Sequence, residues 1–213
     1  AIKENLTYDF EKIQAQFTKD SPDLMVMNHA SNVIGLISPV EKLCSVAKKY
    51  NAVTVIDMAQ TAGLVDTNVG LETIDFAVFA GHKTLYGPTG ISGFAMKPDF
   101  DLDPVLFGGT GFESANQDMP NDIPQRYEMG TLNIAGIAGL HASLGWILDE
   151  GIDYLWEHEQ LKRKELLKIL RSYHFVKIVG DNESNQYVGI VSCVIDGLPS
   201  DTAASVFAEK NIA

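Results

Sequence analysis

The chain has 213 residues, of which 46% are apolar, and its 28 aspartates and glutamates against 16 lysines and arginines give a formal net charge of −12. This excess of negative charge argues against a nucleic-acid partner, because no basic surface is expected to neutralise phosphates. No apolar run approaches the roughly 18 residues that cross a bilayer, so a membrane protein is not expected either.

The cysteine and histidine positions predict neither a disulfide framework nor a metal site. Cys44 and Cys193 lie far apart in apolar surroundings and outside any C-x-x-C pair, which predicts buried thiols in a reducing cytoplasm. The five histidines show no ligand spacing. Residues 1–5 lack the apolar core of a signal peptide. We therefore expect a cytoplasmic protein without a metal.

Strand-like and helix-like segments alternate along the chain, which predicts an α/β sheet architecture. Residues 24–27 and 53–56 are expected to be strands. Between them a helix is expected to begin at Pro39, with Ser38 as its N-cap, and to end near Asn51. Such a β-α-β unit has parallel strands and a right-handed crossover.

The later segments continue the alternation and then become more helical. Residues 100–126, which include the loop Gly108-Gly109-Thr110-Gly111, lack periodicity and are too long for an ordinary connection. Further strands are expected at 75–79, 92–96, 176–179 and 188–195, and further helices at 133–148, 154–173 and 200–210. We expect residues 1–150 to form a large domain and residues 151–213 to begin a smaller one.

A carboxylate and a lysine follow two of the predicted strands. Asp57 ends the apolar run 53–56, and Lys83 comes shortly after the apolar run 76–79. Open α/β sheets bind ligands outside the carboxyl ends of their strands. A lysine there can form a Schiff base with pyridoxal phosphate (PLP), and a carboxylate can keep the pyridine nitrogen protonated. An exposed loop lysine and a strand-ending aspartate are the structural alternatives.

Three more polar residues are candidates for the same site. Asn32 and His29 lie in the turn after the first strand, at the same edge of the predicted sheet. Gln60 follows Asp57 closely enough to place its amide near the phenolic oxygen of the cofactor. A plain Asx turn is the alternative for Asn32, and a structural hydrogen bond is the alternative for His29.

Four stretches, taken in order, resemble the class V, fold-type I PLP enzymes, and among them the cysteine desulfurases and selenocysteine lyases. They are His29-Ala30-Ser31-Asn32-Val33-Ile34-Gly35, Ile56-Asp57-Met58-Ala59-Gln60, Ala80-Gly81-His82-Lys83-Thr84-Leu85-Tyr86-Gly87-Pro88-Thr89-Gly90 and Arg126-Tyr127-Glu128-Met129-Gly130-Thr131-Leu132-Asn133. The glycine-rich loop at 108–111 also resembles the desulfurase branch. The resemblance implies the fold-type I large domain, a mainly parallel sheet with helices on both faces, and the start of a small α+β domain.

The resemblance also implies roles for individual residues. Lys83 matches the Schiff-base lysine, Asp57 the partner of the pyridine nitrogen, and Gln60 the contact to the phenolic oxygen. Asn32 would lie near that oxygen and the substrate carboxylate, and His82 beside the cofactor phosphate.

A second subunit enters the implied site through Thr131, which would reach the phosphate held by the partner of a homodimer. The alternative for this threonine is a helix cap.

The implied activity is the conversion of L-cysteine to alanine, with the sulfur passing to an enzyme cysteine and then to an acceptor protein. Ala80 stands where the family usually has a phosphate-binding serine. The family's other phosphate ligands, its catalytic cysteine and its substrate-binding arginine have no match in the chain. A first residue other than methionine and an end at Asn211-Ile212-Ala213 predict a fragment. Another class V enzyme, such as an aminotransferase or an amino-acid lyase, and a non-catalytic dimerisation fragment are the alternatives.

Overall fold

The main sheet has four strands whose spatial order follows the chain. The computed structural model describes residues 1–111 and 116–212. The elements are α1 (Phe10–Lys19), β1 (Leu24–Asn28), α2 (Val40–Lys48), β2 (Val53–Asp57), β3 (Phe76–Ala80), β4 (Ser92–Met96), a 3-10 turn (Gln125–Tyr127), α3 (Ile134–Glu150), α4 (Ile152–Arg171), β5 (Val176–Val179), β6 (Ser192–Ile195) and α5 (Ser200–Glu209). Strands β1 to β3 are parallel, β4 is antiparallel to β3, and β5 and β6 form a separate antiparallel pair.

The predicted strand at 188–195 is wrong over its first half. Only Ser192–Ile195 pairs within a sheet, as β6. The backbone before it pairs with the turn that follows β1, where Ile37 N–H donates to Gln186 O (2.9 Å) and Val188 N–H donates to Gly35 O (2.9 Å). These contacts join residues far apart in the sequence, so local periodicity could not reveal them.

The start of α2 also differs from the prediction. The helix begins at Val40, and Pro39 occupies the N-cap position without a side-chain capping bond. Ser38, the expected cap, shares a hydrogen bond of 2.7 Å with the Tyr8 hydroxyl. The sequence analysis also missed α1, whose N-terminus is capped by the Asp9 carboxylate accepting from Lys12 N–H.

One face of the main sheet is covered and the other is open. Ile56 and Ala77 lie on the covered face and pack with Val40 and Cys44 around α2. Paired residues share a face, so the pairing of Asn28 with Asp57 and of Asp57 with Val78 puts these three on the opposite face. That opposite face exposes large apolar side chains, namely Leu24, Val26 (63% exposed), Val78 and Phe94.

A second core cluster packs helices α3 and α4 against the segments that follow β2 and β3. Leu64 and Leu85 are buried with Ile147 of α3, Leu155 of α4 and Val188. The segment after β5 is therefore packed against the first half of the chain. The buried contacts connect residues on both sides of position 150, where a domain boundary was predicted.

A buried carboxylate joins β2, α2 and the start of β3. Asp75 is 4% exposed and accepts hydrogen bonds from Thr54 N–H (2.8 Å), Thr54 Oγ1 (3.2 Å) and the Lys48 ammonium. Lys97 adds a second ammonium at 3.6 Å. Burial alone would raise the pKa of Asp75, but the bonds from Lys48 and Thr54 outweigh it and hold that pKa below its usual value.

Both cysteines were predicted to be buried. The prediction is wrong for Cys193, which is exposed, whereas Cys44 is buried. Cys193 lies on β6 and pairs with the half-buried Ile178 of β5. Within residues 1–111 and 116–212, no helix is both long and apolar enough to cross a membrane. The same residues contain no cluster of three or more His, Cys, Asp or Glu side chains that could hold a metal ion.

Candidate active site

The carboxyl ends of β1, β2 and β3 lie at one edge of the sheet because the three strands are parallel. Asn28 ends β1 in register with Asp57, and Asp57 is in register with Val78, two residues before the end of β3. The turn that contains Asn32 and the turn that contains Lys83 therefore leave the sheet at the same edge. This is the edge at which open α/β sheets bind ligands.

Asp57 is half-buried on the open face and keeps part of its hydrogen-bonding capacity free. Its Oδ1 accepts from Ala59 N–H (2.8 Å), and its backbone carbonyl accepts from His29 N–H (2.8 Å). The second carboxylate oxygen has no hydrogen-bond partner among the described residues. That oxygen is available to a protonated nitrogen of a bound group.

Lys83 lies on a tight turn that two glycines close. Gly81 N–H donates to Ile91 O (2.9 Å), Gly87 N–H donates to Gly81 O (2.7 Å), and Tyr86 N–H donates to Lys83 O (2.9 Å). A Cβ atom at Gly87 would lie 2.8 Å from Gly81 O, so a side chain there would force the turn apart. Lys83 itself is exposed.

The side chains of Asn32 and His29 do not match the structural alternatives, which were an Asx turn for Asn32 and a structural hydrogen bond for His29. Ser31, not Asn32, closes the turn after β1, because its hydroxyl accepts from Val33 N–H and Ile34 N–H (both 3.2 Å). Asn32 is exposed, and its amide makes no bond within the described residues. His29 is 4% exposed, and its Nδ1 has no partner in the part of the chain that the structure describes. Burial lowers its pKa to about 4, so the ring is neutral at pH 7.

The other three predicted residues differ in burial. His82 precedes Lys83 on the turn and is exposed. Gln60 is half-buried and lines a cleft beside that turn. Thr131 is exposed and does not cap α3, because the cap is Asn133, whose side chain accepts from Gly136 N–H (2.9 Å) and donates to Gly90 O (3.2 Å).

The sequence analysis missed two residues at this edge. Asn28 pairs directly with Asp57 on the open face, and it was overlooked because the strand was expected to end one residue earlier. Ser92, the first residue of β4, pairs with Ala80 on the same face. The arrangement supplies a free carboxylate oxygen, a primary amine and several amides and hydroxyls around one open surface.

Comparison with known proteins gives a family match along the entire chain. The description "Aminotransferase class-V" matches residues 1–213. A probable cysteine desulfurase of Methanothermobacter thermautotrophicus is 31% identical over 190 residues, which are 87% of this chain and 47% of the relative. A probable cysteine desulfurase of Pyrococcus abyssi is 33% identical over 195 residues, covering 89% of this chain and 48% of the relative. The chain thus spans about half the length of the relatives it matches.

Solved structures confirm the predicted fold class. The apo structure of a cysteine desulfurase from Thermococcus onnurineus superposes with a TM-score of 0.84 at 30% identity, over 97% of this chain and 52% of that one. An alanine–glyoxylate aminotransferase from Nostoc sp. has the same fold at 16% identity, with a TM-score of 0.75 over 95% of this chain and 54% of that one. The chain therefore belongs to the class-V aminotransferase family.

Proposed function

We propose that this chain carries the lysine-bearing half of a PLP site and belongs to a cysteine desulfurase-like enzyme. The observation that supports it most is that Asp57, with a free carboxylate oxygen, and the turn that carries the exposed Lys83 both lie at the same edge of the sheet. These are the two groups that PLP needs from a fold of this kind. The cysteine desulfurase names of the relatives at 31% and 33% identity point to the same activity.

The residues at the edge fit the cofactor in chemical type. Bound PLP supplies an electron sink for the α-carbon of an amino acid. Lys83 would attach the cofactor and move protons at the substrate, and the free oxygen of Asp57 would accept the pyridine N–H. Gln60 would donate its amide to the phenolic oxygen.

Three more residues complete the proposed set. Asn32 would approach the phenolic oxygen and the substrate carboxylate, and His82 would lie by the phosphate. Thr131 would act on the cofactor of a partner subunit. All three are exposed and form no side-chain hydrogen bond within the described residues, so their polar groups are free for these roles.

A homodimer is supported by an unpartnered apolar stripe on α3. Only Gly136 and Ile147 of its 17 residues are buried. Ile134, Ile137, Leu144 and Leu148 (79% exposed) recur at intervals of three, seven and four residues, which places them on one face of the helix. This stripe begins three residues after Thr131, the residue proposed to act across the dimer.

L-cysteine is the proposed substrate and a thiol-bearing protein the proposed sulfur acceptor, in the cytoplasm. Desulfuration breaks the C–S bond of L-cysteine and yields alanine, while the sulfur forms a persulfide on an enzyme cysteine thiol, which then passes it to the thiol of the acceptor protein. An aminotransferase is the second candidate, because the Nostoc aminotransferase has the same fold.

The discriminating experiment uses the full-length protein that contains this chain. It is loaded with PLP and given L-cysteine with a reducing thiol, or L-cysteine with a 2-oxo acid. The proposal expects alanine and sulfide in equal amounts, and loss of both in Lys83→Ala. Transfer of the amino group to the 2-oxo acid without sulfide release would instead establish the aminotransferase. Unchanged turnover in Lys83→Ala would eliminate both candidate functions, the desulfurase and the aminotransferase, because each needs this lysine.

A further inference from the structure

Two unpartnered buried polar atoms lie around one small cleft. Among the residues that the structure describes, three buried side-chain atoms lack a hydrogen-bond partner, namely His29 Nδ1, Thr84 Oγ1 and Arg163 Nε. Thr84 and Arg163 both line a cleft of about 300 Å³ between the Lys83 turn and helix α4. An unsatisfied buried polar group destabilises the folded state. Buried polar groups in folded proteins are nearly always hydrogen-bonded, so two of them beside one cleft call for a partner.

The guanidinium of Arg163 is held in place from its other side. Its Nη2 lies 3.6 Å from Asp181 Oδ1, and its Cζ lies 4.6 Å from the centroid of the Tyr187 ring. The Arg163 side chain is 11% exposed. These contacts orient the guanidinium and leave Nε–H without a partner among the described residues, in a side chain that lines the cleft.

Hydrogen-bond donors outnumber acceptors in the cleft. Gln60, Thr84 and Arg163 line it together with Lys162, whose ammonium already donates to Glu165 Oε2 (3.3 Å). The one carboxylate in the lining belongs to Glu159, whose Oε1 already accepts from Gly189 N–H (2.5 Å). A ligand that satisfies these groups must therefore bring acceptor atoms and negative charge.

The rest of the lining is aliphatic. Its side chains are Leu64, Leu166, Val188 and Ile190. A cleft of about 300 Å³ is at the small end of the range for ligand sites, which excludes a nucleotide. An inorganic oxyanion would leave this aliphatic wall without a partner.

We infer that this cleft binds a small aliphatic carboxylate, whose oxygens accept from Thr84 Oγ1–H and Arg163 Nε–H. Thr84 directly follows Lys83 in the chain. An occupied cleft would thereby connect α4 to the turn that carries the lysine. The inference needs no PLP and stands independently of the proposed function.

The test is a titration of the cofactor-free chain with propionate, with chloride at matched ionic strength as the reference and sulfate as the comparison anion. Propionate is expected to raise the melting temperature saturably, as a ligand of the folded state does. It should also slow hydrogen exchange at Tyr86 N–H, which donates to Lys83 O. Sulfate is expected to act at least tenfold more weakly, about 1.4 kcal/mol of binding free energy.

Thr84→Val keeps the side-chain shape and removes the hydroxyl, and Arg163→Lys keeps the charge and removes Nε–H. Each should weaken the propionate effect about tenfold. Lys164→Gln, an exposed cation outside the cleft lining, is the matched control and should behave as wild type. If Arg163→Lys fails to fold, Thr84→Val decides the question alone.

An unsaturable propionate effect, or an equal effect in wild type and Thr84→Val, would overturn the site. An equal response to sulfate and propionate would overturn the assignment of an aliphatic carboxylate.

Discussion

At the scale of single residues, the burial of His29 makes the stability of the fold depend on pH in mild acid. Its folded-state pKa of about 4 lies below the ordinary value of 6.5, so protons bind preferentially to the unfolded chain. The folded state is therefore favoured by the neutral form of His29. This contribution to the free energy of unfolding is complete above pH 6.5 and is lost as the pH falls towards 4. Between pH 7 and pH 5 the loss should be about 2 kcal/mol.

Urea unfolding at both pH values measures this loss. His29→Gln should show a smaller pH dependence than wild type, whereas His174→Gln, which removes an exposed imidazole, should not differ from it. Equal pH dependence in His29→Gln and wild type would contradict the assignment. Asp75 cannot account for the effect, because its pKa lies below the ordinary 3.8 and it acts only in stronger acid.

Ala80 stands where the family resemblance implies a phosphate-binding serine, and a hydroxyl there should tighten the binding of PLP. A hydrogen bond to an ionised phosphate is worth roughly 1.5–3 kcal/mol. Ala80→Ser is therefore expected to tighten binding about tenfold in an absorbance titration. Ala95→Ser, on β4, serves as the control. No gain from Ala80→Ser would mean that the phosphate lies elsewhere.

Asp75 joins three elements, so its removal should destabilise the fold rather than the site. Asp75→Ala leaves Lys48 and the buried Thr54 without their shared acceptor. The free energy of unfolding should fall by about 3–5 kcal/mol. Asp99→Ala, which removes an exposed carboxylate, should change it by less than about 0.5 kcal/mol. Chemical denaturation of both variants provides the comparison, and similar values for the two would refute the role of Asp75.

The elements that the sequence predicted well are those whose signal is local. β4 occupies its expected residues, and the alternation of strand and helix led to the correct fold class. Asp57 and Lys83 could be assigned to one edge because parallel strands share their carboxyl ends. The pairing of Val188 with Gly35 and the cleft that Thr84 and Arg163 both line could not be predicted, since each depends on tertiary packing between distant segments.

At the scale of the whole molecule, the exposed stripe on α3 predicts self-association. Ile137→Glu puts a charge at the centre of the stripe and should shift the chain towards monomer in sedimentation velocity. Ala142→Glu adds the same charge to the same helix away from the stripe and should leave association unchanged. A wild-type chain that stays monomeric at high concentration would refute a dimer through this face. The division into domains at residues 150 and 151 stays a prediction.

The central claim is that Lys83 is the residue to which PLP attaches. Its most direct test is the visible absorbance of the chain with added PLP, followed by borohydride reduction and peptide mapping. Wild type should give an absorbance band with the cofactor attached at Lys83, and Lys49→Ala, which removes another exposed lysine, should do the same. Lys83→Ala should give neither the band nor the labelled peptide. An equal band in Lys83→Ala, or attachment spread over several lysines, would contradict the account.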